Sequence, residues 1–401
     1  MNNFIKSIRL RNILSFGPES EEIELQPLNV LIGPNASGKS NFIDAISLLR
    51  ATSGDLAGAV RQMGGVEDLL WKGSGGLEPA QLEGLFYYPK SDMALRYGLN
   101  LAVNSHRLEL VDEFVENEKP RTGYDRVFFF YRYENGLPVL NVRITDDGGA
   151  QDGDHRSRKL QREDLSPEQS VLSQRKDPDS YPEITYLSKR FSEIAFYTNW
   201  CTGRQSQVRQ PGKNDLPTDF LLGDASNLAL ILSELDHRRE TENLINKTLC
   251  DLYEGIERVT IRPSSSGSQL FIHEWGGRII PSTRLSDGTL RYLFLLLLLC
   301  HPEPPPLICL EEPELGIHPD VIGKVADLLI EASKRTQLIV TTHSDILVSA
   351  LSDTPGSVLV CEQGPKGTAI RRLEPSKLEE WLKEFYLGEL WRKGVIGGNR
   401  W

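Results

Sequence analysis

No stretch of this sequence is apolar for long enough to cross a bilayer as a helix. The most apolar run, Tyr292–Cys300 (YLFLLLLLC), has nine residues, against about 20 for a span. Cysteine is scarce as well. The five present, Cys201, Cys250, Cys300, Cys309 and Cys361, are odd in number, far apart and free of CxxC spacing. That pattern excludes a disulfide framework and a cysteine-based zinc site, and it predicts reduced core thiols. Positive charge is in deficit, with 45 Lys and Arg against 56 Asp and Glu and a net charge of −11. A protein that coats nucleic acid through bulk charge is therefore excluded, while a local basic face is not. The opening residues MNNFIKSIRLRN carry no apolar leader core, so a cytoplasmic protein without membrane association is expected.

What remains is ordinary globular composition, 39% hydrophobic and 25% charged over 401 residues, with room for about two to three domains. IKSIRLRNI and EEIELQPLNVLI alternate as strands do. After a glycine-rich loop, Phe42, Ile43, Ala45, Ile46, Leu48 and Leu49 recur at helical spacing. LRYGLNLAV, HRLELV, RVFFFYRY and LPVLNVRI read as further strands. Residues 145–182 are polar and turn-rich and read as a surface insertion. Helical spacing resumes over 183–254, most clearly in Asn227–Tyr253. From 255 to 401 a strand pair (RVTIRP, QLFIHEW) precedes alternating helices and strands, which imply βα units and a parallel sheet.

Gly33-Pro34-Asn35-Ala36-Ser37-Gly38-Lys39-Ser40 matches GxxxxGK[ST] between an apolar strand and a helix, with Asn41 following. Its glycines let backbone N–H groups curl around a β-phosphate at a helix N-terminus. Lys39 offers a point charge to the β- and γ-phosphates, and the Ser40 hydroxyl can ligate Mg²⁺. The second motif is the strand PLICL ending in Glu311-Glu312-Pro313-Glu314. In this Walker B arrangement Glu311 holds Mg²⁺ and Glu312 orients or deprotonates the attacking water. Glutamate stands at Glu311 where aspartate is usual. Taken alone, the same residues would make a solvated acidic turn.

Leu285-Ser286-Asp287-Gly288-Thr289 resembles the LSGGQ signature of ATP-binding cassette (ABC) ATPases, departing from it at Asp287 and Thr289. In that superfamily the signature binds the γ-phosphate held by a partner subunit; by itself LSDGT is equally a helix cap. Leu338–Ser344 is an apolar strand ending in His343, which resembles the switch histidine that contacts the γ-phosphate. Gly316 and His318 stand in the D-loop position, which places His318 at a dimer seam.

Together these motifs resemble a compact SMC/RecF-like, ABC-type AAA family ATPase, of a stand-alone predicted-ATPase subfamily related to the OLD-protein ATPase domain. The likeness covers residues 5–75 and 255–350, and the endings Leu387–Gly394 and Ile396–Trp401 also resemble that subfamily. It implies an α/β P-loop head of two lobes, 1–144 and 255–401, with the polar insertion 145–182 and a helical subdomain 183–254 between them. It further implies ATP and Mg²⁺ as ligands, ATP hydrolysis, and a homodimer that sandwiches ATP. Gly33 and Leu285 are 252 positions apart without sustained heptads, so the insertion is compact and forms no coiled coil. Arg61, in RQMGGVEDLL, corresponds to an arginine that in SMC proteins contacts DNA or the partner head. The Q-loop glutamine is left between Gln205 and Gln207, with a plain polar loop as the alternative.

Such ATPases act in DNA repair or in defence against phage and plasmids, often with a TOPRIM-type nuclease as a separate partner. No nuclease signature stands in this chain. Arg204, Arg209, Lys213 and the His155–Lys159 run are the basic positions a DNA contact would use, although short basic runs are commonly solvated faces. Two other readings stay open: an ATP-binding scaffold with little turnover, and the nucleotide-binding subunit of a transporter, whose signature would lie nearer Walker A.

Overall fold

The structure, a computed structural model, describes residues 3–74, 78–134, 137–143, 155–159, 165–200, 202–236, 238–250, 255–264 and 267–398. Its strands form three sheets. An antiparallel sheet runs β2 (Ile23–Glu24), β1 (Ile5–Arg11), β4 (Ala80–Phe86), β5 (Leu95–Asn104), β6 (Arg107–Asn117), β7 (Phe129–Glu134), β8 (Leu137–Arg143), β9 (His155–Lys159). A second sheet orders β10 (Ala195–Tyr197), β14 (Leu307–Glu311), β15 (Gln337–Thr341), β3 (Leu28–Ile32) and β16 (Val358–Gly364) in parallel, with β17 (Gly367–Arg372) antiparallel at one edge. The third is the small meander β11 (Ile256–Ser264), β12 (Gly267–Glu274), β13 (Arg278–Pro281).

The parallel strands are apolar throughout because both faces are covered, and their two-residue period divides the hydrophobic residues between two cores. Leu31, Leu307, Cys309, Ile339 and Cys361 point to the side of α1 (Lys39–Thr52) and the antiparallel sheet. Val30, Ile32, Ile308, Leu310, Leu338 and Val340 point to α8 (Asp287–Leu299) and α9 (Pro319–Ser333). Helix α8 is buried on all sides from Tyr292 to Leu299. That is why its sequence shows an unbroken apolar run, each fully buried leucine contributing about 2 kcal/mol. Gln337 ties the two sheets together: its side-chain amide accepts from the Ile5 N–H at 2.8 Å and donates to the Ile5 carbonyl at 2.8 Å.

The smaller helices complete the layers. α2 (Leu56–Gln62), α3 (Val66–Leu69), α4 (Val171–Gln174) and α5 (Pro182–Ser192) contribute to the antiparallel-sheet core. α6 (Leu228–Asp236) and α7 (Arg239–Cys250) contribute to the other core with α10 (Asp345–Ser349), α11 (Pro375–Leu382) and α12 (Leu387–Arg392). The longest helix among the described residues, α9, has 15 residues, so none of them forms a coiled-coil rod. None is long and apolar enough to cross a membrane.

Three expectations change in detail. The expected surface insertion 145–182 is integrated into the fold over its described parts. β9 extends the antiparallel sheet, and Leu165, Val171 and Leu172 are buried in its core. Buried Glu113 explains this local order, accepting from the Val171 N–H at 2.8 Å and from the Tyr97 hydroxyl at 2.7 Å. The expected helical subdomain 183–254 begins with α5, which packs in the antiparallel-sheet core, and with β10, which belongs to the parallel sheet. The helical spacing of 227–253 divides, over the described residues, into two helices, α6 and α7. Cys300, Cys309 and Cys361 are free and buried; Cys201 lies outside the described residues, as do Asn399, Arg400 and Trp401.

Candidate functional site

The loop between β3 and α1 is closed so tightly that two positions need glycine. A Cβ on Gly33 (φ 152°) would lie 2.4 Å from the Cys361 carbonyl oxygen and 2.7 Å from Ser37 Oγ. On Gly38, the left-handed cap of α1 at φ 99°, it would lie 2.2 Å from Thr368 Oγ1. Lys39 is buried and folds back over the loop, donating to the Gly33 carbonyl at 2.8 Å and the Pro34 carbonyl at 2.9 Å. Burial pulls its pKa down, against the opposing pull of Cys361, Glu312 and Glu311. Ser40 is exposed at the first turn of α1.

Asn35 to Asn41 line one pocket together with Glu312, Thr341 and His343. β14 and β15 pair in parallel with Glu311 opposite Thr341, which brings the ends of both strands to this loop. Glu312 lies 3.7 Å from the His343 ring, and both side chains are partly exposed to the pocket. The Glu312 backbone is left-handed at φ 44°, a conformation that costs a non-glycine residue about 1–3 kcal/mol and clusters at functional sites. Its N–H is held by the Thr341 carbonyl at 2.9 Å. Burial and the Lys39 charge lower the His343 pKa, against the pull of Glu312.

Three side chains support this pocket that sequence reasoning did not single out for a role. Glu314 is buried; its Oε1 accepts from Thr342 Oγ1 at 2.6 Å and from the His343 N–H at 3.2 Å. Asp44, one turn beyond Ser40, has its pKa raised by burial and by the charge of Glu311. Trp200, just after β10, donates its indole N–H to the Glu311 carbonyl at 2.6 Å. Asp44 had a visible signal, a lone carboxylate in an apolar helix four residues after Ser40. Trp200 had none, because its partner is 111 residues away. Ser40, Glu311 and Asp44 each carry a hard oxygen of the type Mg²⁺ takes, and Asp44 senses the Glu311 charge.

The structure keeps the other predicted motifs away from that pocket. Leu285 to Thr289 are not among the residues lining it; Ser286 caps α8 by accepting from the Thr289 N–H at 3.1 Å. Gly316 is left-handed at φ 76°, and His318 caps α9, exposed beside Asp320. Arg61 lies exposed on α2, lining a different cleft with His106 and Arg107. Gln205 and Gln207 are exposed on the loop after β10 and line none of it. Arg209 is corrected: far from being a basic surface position, it is 5% exposed and pairs with Asp287. Arg204, Lys213, Arg158 and Lys159 are exposed, while the side chains of His155 and Arg156 lie outside the described residues.

The family described as "AAA domain, putative AbiEii toxin, Type IV TA system" matches residues 28–349. Among solved structures, the Smc head bound to the C-winged helix domain of ScpA superposes with a TM-score of 0.57 at 15% identity, covering 94% of this chain and 99% of that one. The Smc head domain with an extended coiled coil, bound to the C-terminal domain of ScpA and derived from Pyrococcus furiosus, gives 0.55 at 14% identity, over 95% and 99%. These likenesses show the fold, an ABC-ATPase head. In sequence, the Old nuclease of Escherichia phage P2 is 36% identical over 78 residues, 19% of this chain. That match spans 13% of the nuclease.

Proposed function

The chain belongs to this AAA-domain family, as an SMC/RecF-like ATPase related to OLD proteins, and from that premise we propose that it hydrolyses ATP as a dimerising switch. The observation that carries this reading is the meeting of Glu312 and His343, 3.7 Å apart, in the pocket lined by the loop that carries Lys39. A triphosphate along the loop receives the backbone N–H groups of residues 35–41. Lys39 exchanges its two carbonyl partners for the β- and γ-phosphates. Glu312 orients and deprotonates the attacking water. His343 can donate to the γ-phosphate. Ser40 and Glu311, with Asp44 behind them, would hold a Mg²⁺ ion, whose charge offsets that of the phosphates.

In this reading LSDGT serves the site of a second copy, which accounts for its distance from its own pocket. A two-fold dimer then encloses two ATPs, with the D-loop residues Gly316 and His318 at the seam. Loss of the γ-phosphate removes the contact between copies and separates them. The Old nuclease likeness and the family description favour a role in defence against phage or plasmids, or in DNA repair, with a separate effector such as a TOPRIM-type nuclease. One observation favours a second reading, a scaffold with little turnover: no glutamine lines the pocket among the described residues.

ATP turnover and oligomeric mass of wild type and Glu312→Gln, each with and without duplex DNA, test this. The switch requires that Glu312→Gln abolish turnover and accumulate as an ATP-dependent dimer. A DNA effect on the wild-type rate supports the DNA-linked role, and its absence leaves a switch that answers to protein. Wild type that neither turns over ATP nor dimerises refutes the reading.

A further inference from the structure

The departure of LSDGT from LSGGQ has a partner 78 positions away. The guanidinium of Arg209 is almost wholly enclosed, and each of its nitrogens is used. Nε donates to the Thr202 carbonyl at 2.9 Å, Nη1 to the Leu285 carbonyl at 2.6 Å and the Ser282 carbonyl at 3.3 Å, and Nη2 to the Asp287 carboxylate. Ser282 Oγ returns a bond to the Arg209 carbonyl at 3.0 Å. A buried arginine with every nitrogen engaged is held in one orientation, and it holds the turn it grips.

We propose that Arg209 is a positioning residue for the signature turn: by gripping Leu285 and Asp287 it sets the face that Ser286 and Gly288 present to the ATP of a second copy. The inference rests on the dimer reading above. Electrostatics explain why the arginine is needed. An aspartate in the first turn of α8 would repel a phosphate approaching that helix start, and the paired guanidinium cancels its charge. The Asp287 side chain is 59% exposed, while that of its partner Arg209 is buried.

The grip also reaches the chain's own site. Thr202 accepts from Arg291 Nε at 3.2 Å, and Arg291 donates to the D-loop carbonyl of Leu315 as well. Two residues before Thr202, Trp200 holds the Glu311 carbonyl. Trp200 thus bonds to the end of β14, and Arg209 links Thr202 to the signature turn.

The test compares Asp287→Asn and Arg209→Lys with the parent chain, each also in the Glu312→Gln background. Asparagine is isosteric at an exposed position, and lysine keeps the charge while losing the fork. Both variants should bind ATP with parental affinity, yet the concentration for ATP-dependent dimerisation should rise about tenfold, the loss of one charged hydrogen bond. At a concentration where Asp287→Asn alone is largely monomeric, mixing it with Lys39→Ala should raise turnover above that of either variant alone, because one composite site then has an intact Walker loop and an intact signature. Dimerisation of Asp287→Asn/Glu312→Gln at the parental concentration overturns the proposal. So does loss of ATP binding by the single variants, which would mark a role in the chain's own fold. Failure of Glu312→Gln alone to dimerise removes the dimer reading, and the role of Arg209 with it.

Discussion

Glu314 separates positioning from charge at the nucleotide pocket. It lines no part of that pocket, but its Oε1 accepts from Thr342 Oγ1 at 2.6 Å and from the His343 N–H at 3.2 Å. Thr342 in turn accepts from the Ser344 N–H at 3.0 Å, so one buried oxygen holds the turn that aims His343. Oε2 is buried without a hydrogen-bond partner among the described residues, and burial raises the carboxyl pKa. Glu314→Gln keeps an oxygen for both donors and puts an amide where Oε2 had no partner. It should change stability by less than about 1 kcal/mol and leave turnover within about threefold. Glu314→Ala removes one short and one long bond, about 3 kcal/mol together, and leaves the His343 N–H unpaired. Released, the imidazole can shift by about 1 Å, enough to cost about a hundredfold in kcat. Steady-state turnover, ATP affinity by equilibrium titration and thermal melts read these out, with affinity unchanged in both variants. Equal loss of turnover in both would show that the carboxylate itself takes part in the chemistry, and full turnover in Glu314→Ala would show that the turn needs no such support.

Gly38→Ala must place a Cβ 2.2 Å from Thr368 Oγ1 at a φ of 99°; loss of ATP binding by more than about a hundredfold is expected in a titration, since the loop cannot close. Burial pushes the Glu113 carboxyl up to about 7 from 4.5. An acid held above its unfolded value stabilises the fold fully below pH 4.5, and that contribution, on the order of 3 kcal/mol, is lost as pH rises through 7. Melts between pH 5 and 8 should therefore slope downward in wild type and less in Glu113→Gln; parallel slopes would contradict the assignment. Lys39 faces Glu311 and Glu312, and Asp44 faces Glu311, so the pocket holds more acid than base. ATP affinity should fall at least about tenfold when EDTA replaces Mg²⁺, and an equal affinity would show that these carboxylates do not meet the phosphates.

The parts of the site that sequence reading locates are those whose partners are close in the chain. Gly33 to Ser40 carry their own turn chemistry, and the flanking VLI and FIDAI patterns fix a strand before the loop and a helix after it. LICLEE and LIVTTH show by composition alone that they are strands buried on both faces, and parallel pairing then puts Glu311 beside Thr341. The antiparallel strands are legible from their alternation. The segment around Val171 is not, because a four-residue helix has too few positions to show a period and its order comes from Glu113, 58 positions earlier. The break between α6 and α7 escapes for a related reason. Asp236 to Asn243 (DHRRETEN) contains no apolar residue, so no apolar period is present there to mark where one helix ends and the next begins.

Arg209 was misread for a more general reason. Its sequence neighbours, CTGRQSQVRQP, are polar, and a cation among polar residues has the composition of a solvated face. Burying a guanidinium requires acceptors, and these arrive from Ser282, Leu285 and Asp287, more than 70 positions on. No local window contains both halves of that pairing. The reverse inference was available, however. An aspartate at the first turn of a helix whose neighbours are to meet a phosphate needs a cation to neutralise it. Departures from a motif are therefore most informative when they change charge, because a charge introduced at a site predicts a partner that the rest of the chain must supply.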